Sequence, residues 1–400
     1  MYITRTLEKD IGKYLGRREI IAILGPRQSG KTTLMRHFYE NLKNANFLDF
    51  EDRQTLELFS EDIRSFVELY VKKYEYVFID EFQYAKDGGK NLKFIYDNYK
   101  AKIIISGSSS SELSIQSIRF LVGRIFLFTL YPLSFDEFLE HKNKELHSIL
   151  ARGRLSKPVI DRITPYFKEF CIYGGYPRAV LSKDKAEKEI VLRNIYNTYF
   201  LKEIKEILNL PEDYKLSRLI SALALQIGGI LNYKELSDLT GFKYRELMRH
   251  LNILEKTFVL AKSIPFHTNK RTELVKSPKM FFLDNGFRNA AIKNFQPLES
   301  RTDKGSLHEN FVASELLKKG VELSYWRTKS MAEVDFVIGK ASKPVPVEVK
   351  SHLAGPNFAK SFQSFLEKYK PARSIILSER LFAEKNKTLF RPIFCISSMV

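Results

Sequence analysis

Nine residues near the start of the chain, GPRQSGKTT (25–33), combine two glycines, a lysine and two threonines. Gly25, Pro26, Arg27, Gln28, Ser29, Gly30, Lys31 and Thr32 fit G-x-x-x-x-G-K-[ST], and Thr33 follows. An apolar run, EIIAIL (19–24), precedes them, and a helix-like stretch, TTLMRHFYENL, follows. In that setting the loop's backbone N–H groups surround a β-phosphate, and the helix N-terminus adds partial positive charge. Lys31 would reach the β- and γ-phosphates, and Thr32 would ligate Mg²⁺. A chance match on an ordinary strand–turn–helix does not account for the acidic partner found downstream.

That partner is YVFIDEFQ, where an apolar strand ends in Asp80. Asp80 is placed to hold Mg²⁺ through water. Glu81, directly after it, would polarise an attacking water, which points to hydrolysis of ATP rather than transfer to a bound substrate. The next strand ends IIISGSSSS, and Ser106 or Ser108 would sit between the carboxylates and the γ-phosphate. The plainer alternative is a serine-rich turn or cap. Arg119 and Arg124 follow. Arg124, just before IFLFTL, would lie away from its own phosphate loop. It would then serve either as an arginine finger to the ATP of a neighbouring subunit or in an intramolecular salt bridge.

A second charged constellation lies near the C-terminus, EVDFVIG and VPVEVKS. The two alternating stretches read as an antiparallel pair around a turn at about 339–343. That pairing brings Asp335 nearly opposite Glu348, and strand period puts Lys350 on the face of Glu348. The amphipathic stretch HENFVASELLKK adds Glu309. In this set Asp335 and Glu348 would hold Mg²⁺, with Glu309 completing the outer ligands. Lys350 would orient a water or stabilise phosphorane charge. The alternatives are a surface hairpin charged for solubility, or a once-active site kept for its fold.

Elements must place these groups. Strands at 19–24, 46–50, 74–80, 102–107 and 124–130 alternate with helical stretches, which implies a parallel sheet covered on both faces. Residues 133–215 read as mostly helical, interrupted by YGGYP (173–177). From about 216, three helices and two strands around HTNKRTELVKSP outline a winged helix. In YRELMRHLNILEKTF, Leu247, Leu251, Leu254 and Phe258 form a core stripe. Arg245, Arg249, Asn252 and Lys256 form a second face, suited to a groove or to phosphates. Lys270 and Arg271, with His267 and Asn269, would contact backbone from the wing. The expected domains are 1–135, an α/β P-loop core; 136–215, a mostly helical lid; 216–293, the winged helix; and 294–400, a C-terminal α/β domain.

The composition agrees with polyanion partners. Net charge is +18, which favours polyanion partners such as nucleic acid or an anionic membrane, the plainer alternative being a soluble, self-repelling surface. Two cysteines, Cys171 and Cys395, form no paired motif, so neither a disulfide framework nor a zinc site is expected. No apolar stretch reaches about 18 residues, and the start, MYITRTLEKD, has no apolar signal core. A soluble, cytoplasmic protein follows from this.

The run GPRQSGKTTL, VFIDEFQ, SGSSS, VGRIFLFTLYPLSFDEF and YGGYP resembles a widespread bacterial and archaeal family of AAA+-type ATPases. The C-terminal GSLHENFVASEL, YWRTKSMAEVDFVI and VPVEVKS resemble the conserved terminal region of that family, which long had no assigned function. The resemblance implies an ATPase domain, a helical lid, a winged helix and a nuclease-like terminal domain. It carries Lys31, Thr32, Asp80, Glu81 and Arg124 to the roles given above. The Glu…Asp…Glu-x-Lys set resembles the restriction-endonuclease-like superfamily, which includes junction resolvases. The expected protein is an ATPase using ATP and Mg²⁺, acting on duplex or branched DNA, with no membrane partner. It would assemble as a homo-oligomer, a hexamer being one candidate. The alternatives are a nucleotide-dependent switch on protein partners with an inactive nuclease-like scaffold, or a DNA-binding regulator that only senses ATP. Glu81 argues against pure sensing.

Overall fold

Ile20, Ile21, Ala22 and Ile23 are all fully buried. A continuous apolar run of this kind suits only a strand covered on both faces. It forms β1 (Ile20–Gly25), and a computed structural model shows what covers it. The structure describes residues 2–85, 87–108, 119–153, 155–201, 204–205, 208, 214–266, 277–340 and 342–399. The chain divides into two compact units. The first comprises Met1–Pro132 with Glu206–Asn209 and Lys256–Phe258, and the second comprises the rest.

In the first unit β1 is joined by β2 (Ala45–Asp49), β3 (Tyr76–Asp80), β4 (Lys102–Ser108) and β5 (Ile125–Thr129). All pairings are parallel, in the order β2-β3-β4-β1-β5. Each expected strand is present, displaced by at most two residues at an end. Side chains alternate across the sheet. Ile21 and Ile23 pack with Ile11, Leu34 and Met35, from helices α1 (Leu7–Gly12) and α2 (Lys31–Asn41). Ile20 and Ala22 face Phe59, Phe66, Leu92 and Ile95. Those come from α3 (Arg53–Glu61), α4 (Ile63–Tyr70) and α5 (Gly88–Asn98). Because β4 lies between β1 and β3, the chain leaves β1 toward one side of the sheet and returns on the other. Ligands bind parallel sheets in the crevice such a reversal opens at the strands' carboxyl ends.

The second unit begins with helices α6 (Phe135–Lys142), α7 (Lys144–Ala151), α8 (Lys157–Tyr173), α9 (Pro177–Leu181) and α10 (Lys185–Asn194). Ser134 and Glu137 close a capping box at the start of α6. The YGGYP break between α8 and α9 has a steric cause. A Cβ on Gly174, which has φ 68°, would lie 2.1 Å from the Asp284 carboxylate, and one on Gly175 would lie 2.1 Å from the Leu133 carbonyl. Asp284 accepts the Gly175 N–H at 2.7 Å, so a buried acid and bare backbone meet there.

Next come α11 (Tyr214–Leu225), α12 (Tyr233–Thr240) and α13 (Tyr244–Lys256). The antiparallel pair β6 (Leu260–Pro265) and β7 (Lys279–Phe282) follows, then α14 (Asn285–Ala291) and α15 (Lys304–Lys318). Strand β6 also pairs in parallel with β8 (Ser324–Arg327), which pairs with β9 (Glu333–Val334). The hairpin and the start of the C-terminal segment therefore share one sheet. A five-stranded sheet holds β10 (Phe336–Ile338), β11 (Val345–Val349), β12 (Ser374–Ser378), β13 (Ala383–Lys385) and β14 (Thr388–Pro392). Its order is β10-β11-β12-β14-β13.

Candidate functional site

The phosphate loop runs from the end of β1 to the start of α2. Gly25 has to be glycine, since a Cβ there would lie 2.2 Å from the Leu130 carbonyl. Gly30, at φ 99°, is the N-cap of α2 and sits in backbone that favours glycine. Pro26, Ser29 and Lys31 are buried, Arg27 and Thr33 are exposed, and Thr32 is intermediate. The ammonium of Lys31 donates to the carbonyls of Gly25 and Pro26 at 3.1 and 2.9 Å. Ser29 Oγ and Gln28 Oε1 are buried with no hydrogen-bond partner, and Gln28 has φ 61°. A loop with unmatched polar atoms and a lysine folded over it fits a polar ligand.

The acidic partners lie one strand beyond. Strand β4 pairs Ser108 with Gly25 on β1, and Ile105 with Ile79 on β3. Ser106 therefore comes beside Asp80, and its hydroxyl donates to the Asp80 carboxylate. The Glu81 N–H donates to Asp80 Oδ1 at 3.1 Å and to Ser106 Oγ at 3.3 Å. Glu81 itself has φ 52°, an uncommon conformation for a side-chain-bearing residue and one that clusters at functional sites. Gln83 holds this bend. Its amide donates to the Glu81 carboxylate, and its Oε1 accepts the Ser108 N–H at 3.1 Å. Gln83 stands inside FIDEFQ, yet residue spacing gives it no part, because its role depends on β3 and β4 being neighbours.

Arg124 lies at the opposite end of the sheet, where Ile20 pairs with Ile125. Its Nε is 3.0 Å from Asp97 Oδ1, and its guanidinium lies 5.8 Å from the Tyr96 ring centre. Of the two roles expected for Arg124, the intramolecular ion pair is the one formed within the chain. The side chain of Arg119 lies outside the described residues.

In the second unit β10 and β11 pair antiparallel, Phe336 with Val347 and Ile338 with Val345. That register puts Asp335 opposite Glu348. Asp335 Oδ2 accepts the Val349 N–H at 2.8 Å, and Lys350 Nζ lies 2.8 Å from Glu348 Oε1. Burial, then the charge of Asp335, pushes the Glu309 carboxyl up to about 8. The same two causes push Glu348 up to about 7. Burial raises Asp335 as well. Burial works against the charge on Lys350, but Glu348, Asp335 and Glu309 outweigh it and raise its pKa. Glu348 Oε2 is buried without a partner.

The set therefore gathers around one buried negative region, with one correction. Among the described residues no three His, Cys, Asp or Glu side chains converge on a point that would hold an ion. One Asp335 oxygen is taken by backbone and one Glu348 oxygen by Lys350. The expected three-carboxylate ligand set of Glu309, Asp335 and Glu348 is not assembled. A residue with no sequence signal adds to the region. Lys279 on β7 is 2% exposed, pairs with Glu333, and its charge favours ionised Glu309 and Asp335.

On α13, Leu247, Leu251 and Leu254 are buried, while Arg245, Arg249, Asn252 and Lys256 are exposed. His250 is buried too. Phe258 departs from the expected stripe. It lies beyond the helix at φ 57°, in the part of the chain that belongs to the first unit. There it meets Tyr131 edge-on, with ring centres 5.6 Å apart. His267, Asn269, Lys270 and Arg271 lie outside the described residues.

Comparison with known proteins bears on the fold of the first unit. Residues 17–139 match the family model described as an AAA domain. The first unit carries an AAA-type P-loop ATPase fold. Residues 164–298 and 304–395 match two models described as domains of unknown function, DUF8612 and DUF4143. An uncharacterized protein of Haemophilus influenzae is 28% identical over 348 residues, covering 82% of each chain. An uncharacterized protein of Methanocaldococcus jannaschii is 25% identical over 353 residues, covering 84% of this chain and 75% of its own. Among solved structures, the Walker-type ATPase PABY2304 of Pyrococcus abyssi aligns at 15% identity with a TM-score of 0.44, over 72% of this chain and 96% of its own. AMPPCP-bound DnaA from Aquifex aeolicus aligns at 16% identity with a TM-score of 0.30, over 64% of this chain and 90% of its own. No described helix is long and apolar enough to cross a membrane.

Proposed function

We propose that this protein is a Mg²⁺-dependent ATPase that acts on DNA, by remodelling, branch migration or coupled cleavage. The observation that carries the ATPase reading is the alignment of Gly25 with Ser108, and of Ser106 with Asp80, across β1, β4 and β3. It brings a phosphate loop and an Asp–Glu pair to the same end of one sheet. Lys31 turns from the loop carbonyls to the β- and γ-phosphates. Thr32, and Asp80 through water, would hold a magnesium ion, which would supply charge to neutralise the phosphates. Glu81, fixed by Gln83, takes the proton of the attacking water. Ser106 orients Asp80, and Ser108 lies beside Gly25 at the γ-phosphate side. Arg124 leaves Asp97 to meet the nucleotide of a neighbouring copy in a homo-oligomer.

The DNA reading rests on the exposed Arg245 and Arg249 and on the net charge of +18. The three helices and hairpin at 214–282 form a winged helix in this reading, and 304–395 a nuclease-like domain. Asp335 and Glu348 would hold a divalent ion through the unpartnered Glu348 oxygen, with Lys350 beside it. The second reading, a nucleotide switch on protein partners, is favoured by the engagement of Asp335 with the Val349 N–H and of Glu348 with Lys350. One experiment separates them. ATP turnover and DNA integrity are followed together on duplex, forked and junction DNA with Mg²⁺ or Mn²⁺. Stimulated turnover supports DNA action, and metal-dependent cutting lost in Asp335→Ala and Glu348→Ala supports the nuclease site. Turnover indifferent to every DNA favours the switch.

A further inference from the structure

Strands β3 and β4 begin side by side, Tyr76 paired with Lys102, at the end of the sheet opposite the phosphate loop. About 20 Å of strand separates the two ends. A bowl of about 530 Å³ opens at this far end. Its walls are the stretch before β1, with Arg17 and Arg18, the start of β3, and the stretch from the end of α5 to β4, with Tyr99 and Lys100. All of them belong to the first unit. The volume falls within the range of about 300–1,000 Å³ usual for small-ligand sites.

Lys102 builds one of these walls. A lysine at the start of a central strand, only 6% exposed, is costly unless its ammonium is matched. That ammonium donates to the Tyr14 and Arg17 carbonyls at 2.9 Å each and to the Glu19 carbonyl. Burial still pulls its pKa down to about 8, against the charge of Glu19. The three bonds fix the stretch that carries Arg17 and Arg18. Arg18 is then engaged at the end of α5. It donates to the Tyr96 carbonyl at 2.9 Å and lies 4.8 Å from that ring's centre, where a cation suits the helix C-terminus. Asp97 is taken by Arg124. Arg17 and Lys100 are exposed, and neither has an ion-pair partner among the described residues.

The groups left over suit different parts of one kind of molecule. Two unpaired cations from two walls hold a phosphate. Tyr76 and Tyr99 offer rings on which a base stacks. Glu75, next to Tyr76, accepts a hydrogen bond from a ribose hydroxyl or a base amino group. Inorganic phosphate would use the cations alone, and an apolar ligand would leave them unmatched. We propose that this bowl binds a nucleoside phosphate, as a free nucleotide or as one unit of a nucleic-acid strand. Arg17 and Lys100 take the phosphate, the tyrosines take the base, and Lys102 is a positioning residue beneath them. The site is separate from the phosphate loop and does not rest on the reading of that loop.

Photolabelling of the full chain tests it, in a Lys31→Ala background that keeps nucleotide off the phosphate loop. One probe is 8-azido-ADP, and the other is a short oligothymidylate carrying 4-thiothymidine. Labelled peptides are mapped by mass spectrometry, so label at 25–33 or on α13 is told apart from label at 74–102. At least one probe should mark 74–102. Label from 8-azido-ADP assigns the bowl to a free nucleotide, and label from the oligonucleotide alone assigns it to a strand. Arg17→Ala with Lys100→Ala should raise the half-saturating probe concentration by about tenfold or more, the effect of losing charged hydrogen bonds. Both changes are on the surface, so the thermal unfolding midpoint should stay that of the parent. Lys100→Glu alone should weaken labelling in the same direction. The proposal is overturned if neither probe marks 74–102, or if labelling there is the same in the parent, the double variant and Lys100→Glu.

Discussion

Glu81 shows how little of a residue's role is its own chemistry. Its carboxylate matters because a left-handed bend and the Gln83 amide aim it. Lys31→Ala should abolish nucleotide binding, measured by titration with a fluorescent ATP analogue. Glu81→Gln should bind as the wild type does and turn over about 10²–10⁴-fold more slowly, the usual contribution of a positioned general base. Gln83→Ala should lower kcat by about tenfold with KM little changed, since it loosens the base without touching ground-state binding. Undiminished turnover in Glu81→Gln would remove the assigned role. Glu309 makes a pH prediction. Its folded pKa, about 8, lies above the ordinary 4.5, so between these values the unfolded chain releases the proton first. Stability from this group is present at low pH and lost as pH rises through about 8. In EDTA, Glu309→Gln should flatten that loss and be the more stable protein at pH 8, by about 1–3 kcal/mol, the scale of a poorly compensated buried group. Urea unfolding at pH 5.5 and 8 checks it, and identical pH slopes would count against it.

At the scale of elements, α13 divides its residues cleanly. Leu247, Leu251 and Leu254 face the core while Arg245 and Arg249 face solvent. If that outer face lies on DNA, Arg245→Ala with Arg249→Ala should weaken binding to every sequence alike. The slope of log affinity against log salt should become shallower by about 0.9 for each phosphate no longer neutralised. Fluorescence anisotropy across a salt series measures this. An unchanged slope and affinity would move the DNA-binding surface elsewhere. Strand β6 is tied into its surroundings in another way. It pairs with β7 and also, in parallel, with β8 from the C-terminal segment, so the hairpin cannot be excised without exposing a sheet edge.

For the whole molecule, Arg124 raises the question of assembly. It lies at the far end of the sheet from its own loop, paired with Asp97. An Arg124 that completes a neighbour's site predicts that Arg124→Ala binds ATP but hydrolyses it slowly. Mixing that protein with Lys31→Ala should restore part of the activity, because some interfaces then join an intact loop to an intact arginine. Full wild-type turnover at high dilution, where only single chains remain by light scattering, would rule the trans role out.

The phosphate loop, its strand and helix, the acidic strand end, and the Asp335–Glu348 register were legible in the residues alone. Each depends on local spacing: a glycine pattern, an apolar run, or the two-residue period of a strand. What tertiary structure decided was which local pieces became neighbours. Ser106 meets Asp80, and Gln83 meets Ser108, only because β4 lies between β1 and β3. Arg5 reaches Ser29 and Tyr131 across 24 and 126 residues, and no periodicity reports such a distance. Phe258 fitted the helical stripe by spacing, yet packing against Tyr131 drew it into a left-handed turn. The carboxylates near Glu309 gathered as their order implied. Whether they converge on an ion depends on which oxygens backbone and lysine occupy, and that is set by packing.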